Sequence, residues 1–343
     1  MSAETILADQ ILRHALELQL LAAGDGARAE AILRELEADL RSLMANRNIT
    51  AASKREIAAL IKAADDAIAA RYVNIAGVVD VSGIVEHVAE RTVTFMEAAY
   101  PAVRIGLPSA EVLASLAKDI LIDGSPASAW WARQSEDTAF RFASIIRRGK
   151  INGLTIDQMA REVFDNGGLM DVARRNVRTL VHSSVMTAAN RARLEAFRKN
   201  MKPGDKLRWL ATLDSHTCKT CVALDGKQWE QDGKPIDHKL DFKVPPAHFS
   251  CRCVLSVVPA MTVTNELFDG LGDRLLALGG RASARGPTGA DTSMNGFLDR
   301  NPDIAETILG QRRVDLWRAG KITLTDLVTA SGRPRTLEEL RAP

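Results

Sequence analysis

Two short pieces, LDSHTCKTCVALDGKQW (Leu213–Trp229) and PPAHFSCRC (Pro245–Cys253), hold all four cysteines of a 343-residue chain. Cys218 and Cys221 form a C-x-x-C knuckle. A tight turn between two thiols lets both sulfurs face one tetrahedral centre, while N–H groups of the turn soften the thiolate charge. The second piece offers His248-x-x-Cys251-x-Cys253. If the chain is extended from Cys251, then Cys251 and Cys253 point to one side, because strand side chains alternate with period two. Five donors therefore compete for four places: Cys218 and Cys221, with two of His248, Cys251 and Cys253. Such a set suits Zn2+ in a closed structural site. In a small module with little core, the ion would supply much of the folding energy. The alternatives are thiols that merely lie near one another, and a disulfide.

Around these pieces the pattern changes from helix to strand. Leu207 to Thr212 reads as a short strand carrying Trp209, and Val254 to Val258 reads as another. Asp225-Gly226 is a turn signal between apolar runs, a hairpin candidate. A small β-containing module from about residue 205 to 260 thus interrupts a helical chain.

The rest of the chain is ordinary in composition, 46% hydrophobic and 26% charged, with a formal net charge of +2. That near-neutral balance implies no chain-wide electrostatic grip on nucleic acid. The start, MSAETILADQ, is acidic where a signal peptide is basic, and no apolar run approaches the ~18–20 residues of a bilayer span. A cytoplasmic product with reduced thiols is expected, and there clustered cysteines favour metal over disulfide. Ile57, Leu60, Ile61, Ala64 and Ile68 make one apolar helical face. Ile32, Leu33, Leu36, Leu40 and Leu43 make another after a break at Gly24-Asp25-Gly26. Ser109 is placed to cap a helix, and Gly124-Ser125-Pro126 to break one. Thr155-x-x-Gln158 and Thr336-x-x-Glu339 are capping boxes. A long helix from about Asp171 to Asn200 buries Val177, Leu180, Val181, Ser184, Val185 and Ala188. Arg174, Arg175, Arg178, Arg191, Arg193 and Arg198 crowd its remainder, facing either DNA, an acidic partner, or solvent. Residues 279–291, rich in glycine and alanine, read as a linker or extended arm.

Catalytic metal chemistry finds little support. A zinc deaminase needs H-x-E before P-C-x-x-C, and the chain contains neither H-x-E nor H-E-x-x-H. Asp237-His238 faintly resembles the Asp-His pair of HNH-type nucleases, without the remaining residues of that site. Asp214 and His216 are read as capping the turn or supporting the ligands.

The matching residues Trp209, Ala211, Asp214, Thr217, Cys218, Cys221, Leu224, Asp225, Gly226 and Trp229, then Pro245, Pro246, His248, Cys251, Arg252 and Cys253, resemble the Mu-F-like minor head (head morphogenesis) proteins of tailed bacteriophages. Arg178, Thr179, Thr187, Asn190 and Arg193 fit the helix that precedes that pattern. In the tail, Leu309, Gly310, Arg313, Gly320 and Asp326-Leu327-Val328 fit it again. The resemblance covers roughly residues 150 to 340. It implies a non-enzymatic structural role: few copies in the procapsid, binding near the portal, and help with head assembly, DNA packaging or DNA delivery. The implied partners are the portal protein, a major capsid or scaffold protein and packaged double-stranded DNA, with no membrane. The implied location is the virion interior near the portal, after assembly in the host cytoplasm. Many relatives replace the first cysteine pair, so the zinc reading rests on this chain's own spacing.

The expected fold is mainly α with a small α+β zinc-binding-like module, in several segments. These are a helical region 1–150, the module with its long helix 151–260, a linker 261–290 and a helical C-terminal arm 291–343. The rival readings are a metal-dependent HNH-like nuclease using His238 or His248, and a zinc-stabilised DNA-binding module.

Overall fold

The computed structural model describes residues 2–45, 51–101, 103–260 and 280–341. Residues 261–279, most of the expected linker, lie outside them. The fold is mainly helical with small antiparallel sheets. The chain divides into two compact units: residues 1–19, 82–118 and 186–343, and residues 20–81 and 119–185.

The second of these units is a helical one. It contains the later part of α1 (Ala3–Met44), α2 (Lys54–Ala76), the hairpin β1 (Leu121–Ile122) and β2 (Ser125–Pro126), α5 (Ala127–Ile151), α6 (Ile156–Phe164) and the first half of α7 (Leu169–Asn200). The predicted stripe of α2 is buried as expected, extended by Tyr72 and Ile75. α2 packs on α5, where the Tyr72 and Thr138 hydroxyls share a 3.0 Å hydrogen bond. Ser53 and Thr155 cap α2 and α6 through reciprocal boxes with Glu56 and Gln158. Gly149 lets α5 and α6 approach closely, because a Cβ there would meet the Met159 side chain and force it to shift. The break expected at Gly24-Asp25-Gly26 does not occur, since α1 runs through it. Each helical glycine costs about 1 kcal/mol relative to alanine. Burying Leu33, Leu36 and Leu40 completely outweighs that at roughly 1.5–3 kcal/mol each. Asp25 also stays within the helix by accepting from Arg28 at 2.5 Å.

By length and composition the helical stretch Lys54–Ala99 is apolar enough to cross a bilayer, contrary to the expectation from the sequence. It is two helices, α2 and α3 (Val81–Ala99), separated at Gly77–Asp80. α2 buries one face, and Lys62 and Asp66 pair on its exposed side.

The first unit contains the start of α1, α3, α4 (Ala110–Asp119), the rest of α7 and the β module. α7 is buried along nearly its whole later half, with Met186, Ala189, Ala192, Ala196 and Phe197 at 0% exposure. The strands are β3 (Lys206–Leu210), β4 (Gln228–Trp229), β5 (Pro235–Ile236) and β6 (Val254–Val258), in the antiparallel order β5-β4-β3-β6. β3 and β6 are the two predicted strands, and they pair with Leu207 opposite Val257 and Trp209 opposite Leu255. Asp225-Gly226 is a turn, with Gly226 at φ 73°. It joins a short helix, α8 (Lys219–Leu224), to β4 and does not close a two-strand hairpin. Cys218 caps that helix, so the knuckle continues into helix before the chain can turn back.

The C-terminal segment is helical: α9 (Met294–Arg300), α10 (Pro302–Leu309), α11 (Gln311–Arg318), a 3-10 turn (Leu324–Leu327) and α12 (Leu337–Arg341). The Thr336–Glu339 box caps α12. Gly310 and Gly320 adopt positive φ at helix ends, and Asp326 reaches back to the Thr323 N–H at 2.7 Å. The segment lies against the module. Thr220 donates to the Gly332 carbonyl at 2.9 Å, Lys243 to Ser331 at 2.5 Å, and the Asp241 N–H to Ala330 at 2.9 Å.

Candidate metal centre

The first donor loop is set by Asp214. Its carboxylate accepts from the His216 N–H at 3.0 Å, and its carbonyl accepts from the Thr217 N–H at 3.2 Å. The Thr217 hydroxyl donates to the Thr212 carbonyl at 2.6 Å. This folds the chain into the start of α8, where the Cys221 N–H donates to the Cys218 sulfur at 3.4 Å. The second loop, His248–Cys253, turns at Ser250, which takes a left-handed φ of 61°. The Cys251 N–H donates to the His248 carbonyl at 3.2 Å. Arg252 then ties the two loops, its guanidinium forking onto Asp214 at 2.5 and 2.7 Å. Bidentate pairs of this kind fix orientation as well as distance.

The loops bring the predicted donors together. His248 Nε2 lies 3.1 Å from the Cys218 sulfur and 3.3 Å from that of Cys221. The Cys221 and Cys251 sulfurs are 3.7 Å apart. Cys218, Cys221 and His248 form one mutually close set, and Cys221, Cys251 and Cys253 another. All four thiols are free, and only Cys218 is more than slightly exposed. His248 Nδ1 faces the Phe249 carbonyl at 2.8 Å. A proton on Nδ1 leaves the Nε2 lone pair facing the sulfurs, the orientation that metal-bound imidazoles adopt.

The charges agree. Contact with Cys221, then with His248, holds the Cys218 thiol down at about 4. Hydrogen bonding to the Cys218 and Cys251 sulfurs pushes His248 up to about 11. Burial drives Cys253 the other way, upward. The cluster therefore stabilises positive charge at its centre. Cysteine and histidine donors gathered in this way could hold a metal ion that favours sulfur and nitrogen ligands.

Other residues singled out in the sequence sit differently. His238 is a pin: its Nε2 lies 2.8 Å from the Gln228 carbonyl, and its Nδ1 accepts from the Leu240 N–H at 3.1 Å. Its ring stacks edge-on to Trp229. Of the α7 arginines, Arg174 pairs with Glu37, Arg178 with Glu30 and Arg175 with Asp171. Arg193 has no exposed surface and donates to Asn190 at 3.0 Å. Arg191 is exposed, and Arg198 pairs with Glu195.

One central residue escaped sequence reasoning. Arg281, within the glycine-rich stretch, is 2% exposed and pairs with the equally buried Asp225. It also donates to the Ala211 carbonyl at 2.7 Å. Asp225 in turn accepts from the Ala211 N–H at 2.8 Å and the Met294 N–H at 2.9 Å. Residues 280–290, which their composition makes a linker, are thus built into the module: Arg281 bridges to Thr288, and Leu213 to Ser283. A lone arginine among small residues gives no pattern to read. The opposite charges of Asp214 and Arg252, each beside a cysteine cluster, did offer a signal.

The geometry defines a cysteine–histidine cluster inside a small β module that could hold a metal ion. Residues 141–256, from within α5 to within β6, match the family model described as Phage Mu protein F like protein. The Mu-F-like resemblance read from the sequence therefore holds over that segment, and the match supports a phage head-related protein. No curated protein and no solved structure matched the chain.

Proposed function

We propose that this chain is a minor capsid component of a tailed phage that binds the portal region and assists head assembly, DNA packaging or DNA delivery. The observation that carries the reading is the family match over residues 141–256, whose segment contains the whole donor cluster. In this reading a structural Zn2+, held among Cys218, Cys221, His248, Cys251 and Cys253, makes the module a rigid knob that docks on the portal or on a capsid or scaffold protein. The protein then resides in the virion near the portal after assembly in the host cytoplasm. In this reading exposed arginines of α7, among them Arg175, Arg178 and Arg191, contact packaged DNA, and Arg193, which is buried, does not.

The construction favours docking over cutting. Both nitrogens of His238 are engaged by backbone groups, and those of His248 by a carbonyl and by sulfurs. Neither is left as a general base for a nuclease. The test is co-assembly. Tagged chain expressed with the portal protein of its own phage is expected to co-purify with portal rings and to appear at low copy in procapsids. Its absence from both, with the chain folded, would overturn the reading. DNA cleavage in Mg2+ or Mn2+ that is lost on His238→Ala would replace it with the nuclease.

A further inference from the structure

We infer that the metal is held by Cys218, Cys221, His248 and Cys251, and that Cys253 is a buried thiol behind the site which is not a ligand. This rests on the structural-metal reading of the module and assigns its ligands. Cys221 is the donor shared by the two close sets, and it reaches both His248 and Cys251. Cys221 lies 3.3 Å from His248 Nε2 and 3.7 Å from the Cys251 sulfur. The fourth place belongs either to Cys218 or to Cys253.

Ligands at about 2.3 Å for sulfur and about 2.0 Å for nitrogen around a tetrahedral zinc sit roughly 3.5 Å from one another. Cys218, at 3.1 Å from Nε2, stands close to that separation. Were it not a ligand, its sulfur would press on a metal-bound nitrogen with nothing joining them. It also accepts the Cys221 N–H, the contact that stabilises a thiolate in a C-x-x-C turn. Among the described residues Cys251 and Cys253 each form a close set with Cys221 and not with Cys218 or His248, so what sets Cys253 apart is its inward neighbours. It is 3% exposed, on the side of the fully buried Trp209. Among the described residues the Trp209 indole N–H has no other acceptor, and the Cys253 sulfur is the group it approaches. The Cys253 carbonyl is held by Asn190 at 3.2 Å. Residue 253 borders the same small cavity as 218, 221, 248 and 251, but its carbonyl is held by α7 and its sulfur is approached by Trp209 of β3.

The ligand count decides the matter. Purified full-length protein, reduced and loaded with Zn2+, is examined by X-ray absorption at the zinc edge. In parallel, the Co2+-loaded protein is examined by its thiolate-to-metal charge-transfer band. Wild type and Cys253→Ala are expected to show three sulfurs and one nitrogen. Cys218→Ala is expected to show two sulfurs, with about one third of the charge-transfer intensity lost. Three sulfurs in Cys218→Ala, or two in a folded Cys253→Ala, overturn the assignment. So does wild type binding less than one metal per chain. Because Cys218 lies at the rim, its arm remains decisive even if Cys253→Ala does not fold. Loss of portal association with an intact three-sulfur site would defeat the docking role and leave this assignment standing.

Discussion

The helical unit around α2 and α5 and the module around β3 and β6 are held together by different means. In the helical unit, stability is spread over many apolar contacts along stripes of period 3.6, with caps and surface ion pairs at the edges. In the module, short strands and irregular loops are joined by a few polar groups: the cysteine–histidine cluster, the Arg252–Asp214 fork and the buried Arg281–Asp225 pair. The lesson is that the loss of one contact should be graded in the first region and close to all-or-none in the second.

The strongest break in that comparison is Cys221→Ser. It removes a donor shared by both close sets. Structural zinc contributes on the order of 10 kcal/mol to such modules. The variant should therefore lose stoichiometric metal and the near-UV dichroism of Trp209 and Trp229, while far-UV helix signal largely persists. Next comes Asp225→Ala, which leaves Arg281 buried without its carboxylate. Removing one partner of a buried pair costs about 3–5 kcal/mol, to be read from denaturant midpoints. Ile68→Ala, in the apolar stripe of α2 and fully buried, should cost about 2–5 kcal/mol. Its metal content should not change, which separates the two kinds of support.

A smaller effect concerns pH. His14, 1% exposed, is held down at about 3 by burial and then by the charges of Arg193, His87 and Arg91. It is neutral when folded and protonates when unfolded. Its contribution is thus complete above the unfolded pKa near 6.5 and is lost as pH falls toward 3. Between pH 7 and 5.5 it should remove about 1 kcal/mol of stability. His14→Gln should flatten that part of the difference in melting temperature against pH. The smallest expected change is Thr155→Ala, which removes the α6 cap at about 1 kcal/mol.

How much of this was legible follows from the same contrast. Periodic apolar residues announced α2 and α7, and capping boxes at Thr155 and Thr336 announced two helix starts, because these signals are local. The β3 and β6 strands, and the gathering of Cys218, Cys221, His248, Cys251 and Cys253, could be read from short patterns for the same reason. Gly24-Asp25-Gly26 misled, since tertiary burial of the leucines that follow overrides glycine propensity. Asp225 was legible as a turn residue but not as the partner of Arg281, 56 positions away. The α7 arginines looked like a basic face, yet the acids on α1 that engage Arg174 and Arg178 are more than 130 positions distant.

The central claim is that two separated loops are clamped by one shared ion. It is tested most directly by melting reduced, full-length protein with and without a strong chelator, alongside elemental analysis. One zinc per chain is predicted, with a chelator-induced early transition in the tryptophan signal of the module. Metal-free, reduced protein that melts identically in both conditions would contradict it.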